Sequence, residues 1–211
     1  MINMTKFYII FFLSLFFQLA NCYANEVWKA EIKANRADSN PHIFIGLDSI
    51  ANSFKAAPEP PAYSCHMVLL SNDSYEELSL DIKKNDKKVY QWIISINPNG
   101  IGDFYTTSKM FWDKNEFGKG FYCLVDGYDG TGNVLIRDMK KQTSINITGK
   151  NKFYYYTIKY KLPDISDLIS CLKILSGINT DINLNLIDVN ENKKIELSDC
   201  IKIIKYLAEL S

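Results

Sequence analysis

Two histidines are all that the 211 residues supply, and this scarcity excludes whole classes of chemistry. Neither His42 nor His66 stands in an HExxH pair or near a Gly-flanked Ser, so zinc-hydrolase and Ser–His mechanisms have nothing to start from. Both lie inside strand-like runs and read as ordinary strand residues. Net charge is also lacking. Lys plus Arg number 24 and Asp plus Glu number 24, so no overall field draws the chain to nucleic acid or an anionic membrane. Beyond the amino terminus no apolar run is long enough to span a bilayer. Proline is sparse, and three of the 6 fall in "APEPPA" (57–62), a rigid extended loop. A glycosidase needs two carboxylates across a cleft. Asp113 and Glu116, in "FWDKNEFGKG", are the nearest approach, and that stretch reads as a solvated loop. No catalytic residue is assigned.

The amino terminus carries what the rest lacks. "MINMTK" precedes an apolar run from Phe7 to Leu19, and "ANCYA" places Cys22 and Ala24 at the minus-three and minus-one positions of a cleavage site. This pattern predicts a secretory signal over 1–24, cleaved after Ala24, and a secreted or cell-surface protein. Lipidation of Cys22 is a second reading. Cleavage leaves Cys65, Cys123, Cys171 and Cys200, an even number that permits two bridges in three connectivities. Two fall in each half, which favours Cys65–Cys123 and Cys171–Cys200. For the first pair, a bridge and two buried thiols stand level.

Two regions follow with different periods. Over 25–160, runs such as "HIFIGL", "YSCHMVLL", "VYQWIISI", "GFYCLV", "NVLIRDM" and "KFYYYTIKY" are rich in β-branched and aromatic residues and are separated by Gly- and Asn-bearing turns. They predict a mainly β region, an antiparallel β-sandwich. "DGYDGTGN" could hold a cation through Asp126, Asp129 and Asn133, and a hairpin turn explains the same residues with less. Trp28, Trp92 and Trp112, with the many tyrosines, could offer a stacking platform for sugars, and Trp92, at strand period, fits a core. Trp112, in a polar loop, is the candidate for an exposed sugar contact.

Over 161–211 the period becomes helical. "DISDLISCLKILSG" puts Ile165, Leu168, Ile169, Leu172 and Leu175 on one face, with Asp164 or Ser166 as cap and Gly177 as stop. "LSDCIKIIKYLAEL" repeats the design, with Ile201, Ile204, Leu207 and Ala208 or Leu210 expected to face inward. Offset by 32 residues, the two segments coincide at 166/198, 167/199, 169/201, 173/205 and 175/207. The agreement reaches the polar residues at the helix start, which core packing does not require. Six basic and eight acidic side chains make this region mildly acidic.

Between these helices, "DVNENKKIELSD" places oxygen donors at positions one, three, five, seven, nine and twelve of a twelve-residue loop. They are Asp188, Asn190, Asn192, the Lys194 carbonyl, Glu196 and Asp199. A calcium ion takes six to eight such oxygens. Ile195, at position eight, pins such a loop to its neighbours. Lys193 stands at position six, where Gly usually makes the turn. A positive φ there costs about 1 kcal/mol, which lowers affinity without abolishing it.

These residues resemble the dockerin module, in which paired calcium-loop-plus-helix repeats dock onto cohesin domains. "DVNENKKIELSDCIKIIKYL" is similar to the second repeat and "ISDLISCLKILSG" to the helix of the first. Counting back from Asp167, the first loop would hold Tyr156, Ile158, Tyr160, Leu162 and Asp164. Only the last offers a carboxylate, so the resemblance implies a one-calcium variant. It further implies a non-catalytic assembly protein with a cohesin-like or other extracellular protein as partner. The second reading is a carbohydrate-binding or polysaccharide-degrading component tethered by this tail. The front region also resembles exported β-sandwich modules found ahead of dockerin-like tails.

Overall fold

The computed structural model describes residues 27–36, 39–58, 64–71, 76–99, 104–178 and 187–209. Residues 1–26 with Cys22, most of "APEPPA", the stretch 179–186 and Leu210 lie outside them. The described residues form strands β1 (Trp28–Asn35), β2 (His42–Asp48), β3 (Asn52–Lys55), β4 (His66–Leu70), β5 (Glu77–Lys84), β6 (Val89–Asn97), β7 (Thr106–Trp112), β8 (Phe121–Asp126), β9 (Val134–Ile136), β10 (Ser144–Gly149) and β11 (Tyr154–Lys161), and helices α1 (Ile165–Leu175) and α2 (Leu197–Ala208). None of the described helices is long and apolar enough to cross a membrane. The protein is mainly β with a small helical part.

One hydrogen-bonded path joins the strands in the order β10-β7-β1-β2-β5-β4-β6-β11-β8-β9, with β3 added on β5. β2 and β5 run parallel, with Phe44 opposite Leu80 and Asp48 opposite Lys84. An all-antiparallel arrangement is therefore not what forms. The long excursion between β2 and β5 returns the chain in its original direction, which a tight hairpin cannot do. Alternation sets the inner face. In β1, Trp28, Ala30, Ile32 and Ala34 are buried while Lys29 and Lys33 are exposed.

The sheet curls around Trp28. Its indole meets Trp92 of β6 at 5.7 Å, Tyr122 of β8 at 5.4 Å and Tyr160 of β11 at 6.0 Å between ring centroids. Gly118 packs against the same indole. A Cβ there would come within 2.3 Å of it, so no larger residue fits. Trp92 donates its indole N–H to the Asp81 carbonyl at 3.0 Å. One continuous core thus fills the curl.

The helices sit at the β11–β8 end. Asp164 caps α1, accepting from the Ser166 and Asp167 amides, while Asp167 accepts from the Asp164 amide at 2.8 Å. Gly177, with φ 76°, ends α1 as the sequence predicts. Cys171 and Cys200 form the disulfide between the helices, with Cα atoms 6.0 Å apart. Cys65 and Cys123 remain buried thiols. Cys65 precedes β4 and Cys123 is in β8, with β6 and β11 between those strands. Three strand spacings are roughly 14 Å, about twice the span a bridge tolerates, so that pairing is excluded. Burial pushes the Cys123 thiol up to about 12.

Candidate metal loop and helix face

Asp188 and Asp199 lie near enough for the Asp188 charge to act on the Asp199 carboxyl. Asp188 accepts from the backbone N–H of Asn192 at 3.1 Å and of Lys193 at 2.7 Å. Asp199 accepts from the Glu196 amide at 2.9 Å and from the Asn190 side chain at 2.8 Å. Asp188, Asn190 and Asp199 are all buried. Burial raises the Asp199 carboxyl above its ordinary value, and the Asp188 charge adds to the shift against the Glu196 hydrogen bond. The loop closes through two left-handed residues, Lys193 at φ 64° and Glu191 at φ 56°. The first is the position where Gly was missing. The second was not foreseen, since nothing in Glu191 itself favours that conformation.

The helix starts are built alike but differ in charge. Asp167 and Asp199 stand 32 residues apart, are both buried, and occupy the same third position of α1 and α2. At α1, the Lys88 ammonium sits 3.1 Å from Asp167 and 2.6 Å from Asp164. At α2, the neighbour is a second carboxylate. The positions that a first calcium loop would use, Tyr156, Ile158 and Tyr160, are strand residues of β11 buried in the sheet. An internal ammonium thus offsets part of the charge of the two carboxylates at the first helix start, while Asp199 feels the Asp188 charge, opposed by that of Lys202.

Among the described residues, no group of three or more His, Cys, Asp and Glu side chains is placed to hold a metal. Glu196 is exposed, and its carboxylate accepts from Asn192 at 2.9 Å. A cation in this loop would need amide and backbone oxygens beside two carboxylates. Calcium accepts that donor set, and softer metals discriminate against it.

The sheet grips this loop from below. Lys161, 4% exposed, donates to the Asp188 carbonyl at 2.7 Å and pairs with Glu191. Lys159 reaches the same carboxylate at 3.1 Å. Burial opposes ionisation of Glu191, but the Lys161 and Lys159 contacts prevail and hold its carboxyl low. On the helices, Tyr206 packs on Phe121 of β8 at 5.4 Å, and Leu207 touches both core clusters.

Of the residues expected to face inward, Leu168 and Leu207 pack against the core, and most of the others turn outward. Cys171 is fully buried and Leu168 partly so, whereas Ile165, Ile169, Leu172 and Leu175 are exposed by 43%, 44%, 44% and 40%. On α2, Cys200, Ile203 and Tyr206 are buried, whereas Leu197, Ile201 and Ile204 are exposed by 62%, 43% and 47%. The bridge and the inward-facing Asp167 and Asp199 fix which side turns in. The outer apolar residues then match at the same 32-residue offset: Ile165 with Leu197, Ile169 with Ile201, Leu172 with Ile204.

Other expected contacts move. Trp112 ends β7, is buried, and donates its indole N–H to the Met139 carbonyl at 2.8 Å, so it offers no platform. Trp28 and Trp92 are core. Asp113 caps the single 3-10 turn Lys114–Glu116, and Glu116 accepts from the Glu31 amide, so the two share one turn and do not face each other across a cleft. Asp129 binds Thr131 within the β8–β9 turn, in keeping with a hairpin. Exposed rings lie elsewhere, at Phe54, Phe104, Tyr105, Tyr128 and Tyr155, none of which strand alternation alone singled out.

No family model, curated protein or solved structure matches this chain.

The Lys88 contact has a measurable signature. Burial alone would raise the Asp164 carboxyl, but hydrogen bonds from Lys88 and Ser166 and the Lys88 charge bring it to about 2 from 3.8. A depressed acid stabilises the fold above its unfolded value and loses that contribution as pH falls through the folded one. Helicity followed by circular dichroism should therefore decline between about pH 4 and pH 2. Lys88→Met should move this transition upward, and an unchanged acid profile would exclude the contact.

Proposed function

We propose that this is an exported, non-catalytic assembly protein in which a curled β-sandwich scaffold carries a one-calcium, dockerin-like helix pair. The observation that carries the reading is the matched apolar stripe on α1 and α2. Exposed apolar surface of this extent on paired helices has a hydration cost that only a partner relieves. The partner we assign is a folded extracellular domain of cohesin type with an apolar, uncharged contact surface. Ser166 and Ser198 border the stripes at equivalent exposed places, which suits a neutral surface.

Calcium would be held by Asp188, Asn190, Asn192, the Lys194 carbonyl, Glu196 and Asp199. It supplies the positive charge that Lys88 supplies at the other helix start. The side chains of Asp188 and Asp199 must both be ionised for it, so affinity weakens as acid protonates the raised Asp199 carboxyl. At free calcium 100 times the dissociation constant, the bound ion stabilises the fold by about 2.7 kcal/mol.

Calorimetric titration of calcium into wild type and Asp188→Ala tests the site. We expect one binding event in the first and none in the second. Docking is tested on immobilised cohesin domains, where Ile169→Lys with Ile201→Lys should abolish capture while calcium binding persists. Absence of heat in the wild type removes the calcium reading. A self-association that the same double variant breaks would make the stripe a contact between copies of this chain and remove the docking reading.

A further inference from the structure

On the outward side of the sheet, Leu70, Glu77, Ser95, Tyr128, Phe153 and Tyr155 line a cleft of about 420 Å3. Tyr128 and Tyr155 are exposed by 53% and 39% and meet edge to face at 6.3 Å. Tyr128 is held out by the turn after β8, whose Gly127 and Gly130 have φ of 90° and 70°. Beside the cleft lies a buried polar atom without a partner. His66 is 4% exposed, and its Nε2 makes no hydrogen bond among the described residues. The closest acid, Glu77, stands 3.9 Å from that nitrogen, beyond hydrogen-bond reach. The imidazole meets Phe153 edge-on at 6.0 Å. Buried polar groups are almost always paired, and one that is not points to a missing partner.

We propose that this cleft binds a neutral pyranose saccharide. Such a ring has one apolar C–H face and a rim of hydroxyls. The face suits the exposed tyrosines, whose broad, rigid rings stack at little entropic cost. The rim suits Glu77, an acceptor, and the Tyr128 and Tyr155 hydroxyls, which donate and accept. Charge settles the class. Among the described lining residues Glu77 is the charged one, and its carboxylate repels an acidic sugar. The volume lies within the range of small-ligand sites and fits one or two rings. The cleft shares no residue with the calcium loop or the helix stripes, so the inference does not rest on either. It also provides, on other residues, the stacking surface that Trp112 does not.

Affinity electrophoresis of the full exported chain through gels containing xylan, mixed-linkage β-glucan or mannan tests this, with polygalacturonate as the acidic comparator. At least one neutral polymer should retard the wild type. Tyr128→Ala should weaken that retardation at least tenfold, and Glu77→Gln severalfold. Tyr128 lies in an exposed turn, so its variant keeps the fold and decides the question even where Tyr155→Ala does not fold. Ile169→Lys should change nothing, which separates this site from the docking face. The proposal is overturned by no retardation in all three neutral polymers, by retardation that Tyr128→Ala leaves intact, or by variant-sensitive binding to polygalacturonate alone.

Discussion

Replacing Lys161 with Met should cost about 3–5 kcal/mol, the range for removing one partner of a buried ion pair. For a chain of this size that is on the order of 10 °C in melting temperature. Lys161 is the last residue of β11 and is almost wholly buried, with its ammonium on the Asp188 carbonyl and the Glu191 carboxylate. Methionine keeps the stem and deletes the charge. Glu191 is then left with Lys159 alone, and the Asp188 carbonyl loses its donor. Both losses fall on the loop that positions Asp188, so calcium affinity should drop in the same variant. A control separates charge from packing: adding Glu191→Leu to Lys161→Met removes the stranded carboxylate and should recover part of the loss. Differential scanning calorimetry of wild type, single and double variants reads all three. A melting shift under about 2 °C for Lys161→Met would mean the ammonium is solvated and does not anchor the loop. The prediction also bears on the domain division at residue 161, because the helical segment shares Tyr206, Leu207 and Lys161 with the sheet.

How far the sequence could be read follows from how local each determinant is. The polar loop ahead of α2 rests on local contacts, since Asp and Asn oxygens accept from backbone N–H groups two to five residues away. Those are the contacts Asp188, Asn190 and Asn192 make. Strands with large apolar residues were legible. β1 was not singled out because its inner face alternates Ala with Trp and Ile, and β7 because Trp112 was read with the turn that follows it. The parallel β2–β5 pair depends on a chain path that no local pattern encodes. The helices show why a period gives a face but not its direction. On α1, Ile165, Leu168, Ile169, Leu172 and Leu175 share one face while Cys171 and Ile174 lie on the other, so two faces compete for burial. A long-range fact decides between them: Cys171 bonds Cys200, and that side must turn inward. The Cys65–Cys123 pairing failed for the same kind of reason, since counting cysteines per half says nothing of the strands between them. Tyr128 and Tyr155 lay in plain sight among 13 tyrosines, and only the turn geometry after β8 sets them apart.

Removing the bridge should be the second large effect. Cys171→Ala with Cys200→Ala frees a 29-residue separation, which chain-entropy reasoning values at about 3.5 kcal/mol. The cluster it ties together is small: Cys171, Ile187, Val189, Cys200 and Ile203, with edges of Phe121, Leu168, Ile174, Ile195 and Leu207. So few apolar residues cannot hold two helices of 11 and 12 residues by themselves. The loss should therefore be local. Helical signal should melt ahead of the sheet, and Trp28, deep in the curl, should report a later transition. Calcium bound as proposed would oppose the change without cancelling it, because about 2.7 kcal/mol at a hundredfold excess is less than the bridge contributes. Thermal melts of the variant with EDTA and with saturating calcium should then differ, with both helix transitions below that of the oxidised wild type. A double variant whose helices melt together with the sheet, at the wild-type temperature, would mean that packing on Phe121 and the Lys161 anchor hold the pair without its covalent link. The matched stripes would then owe their orientation to the sheet.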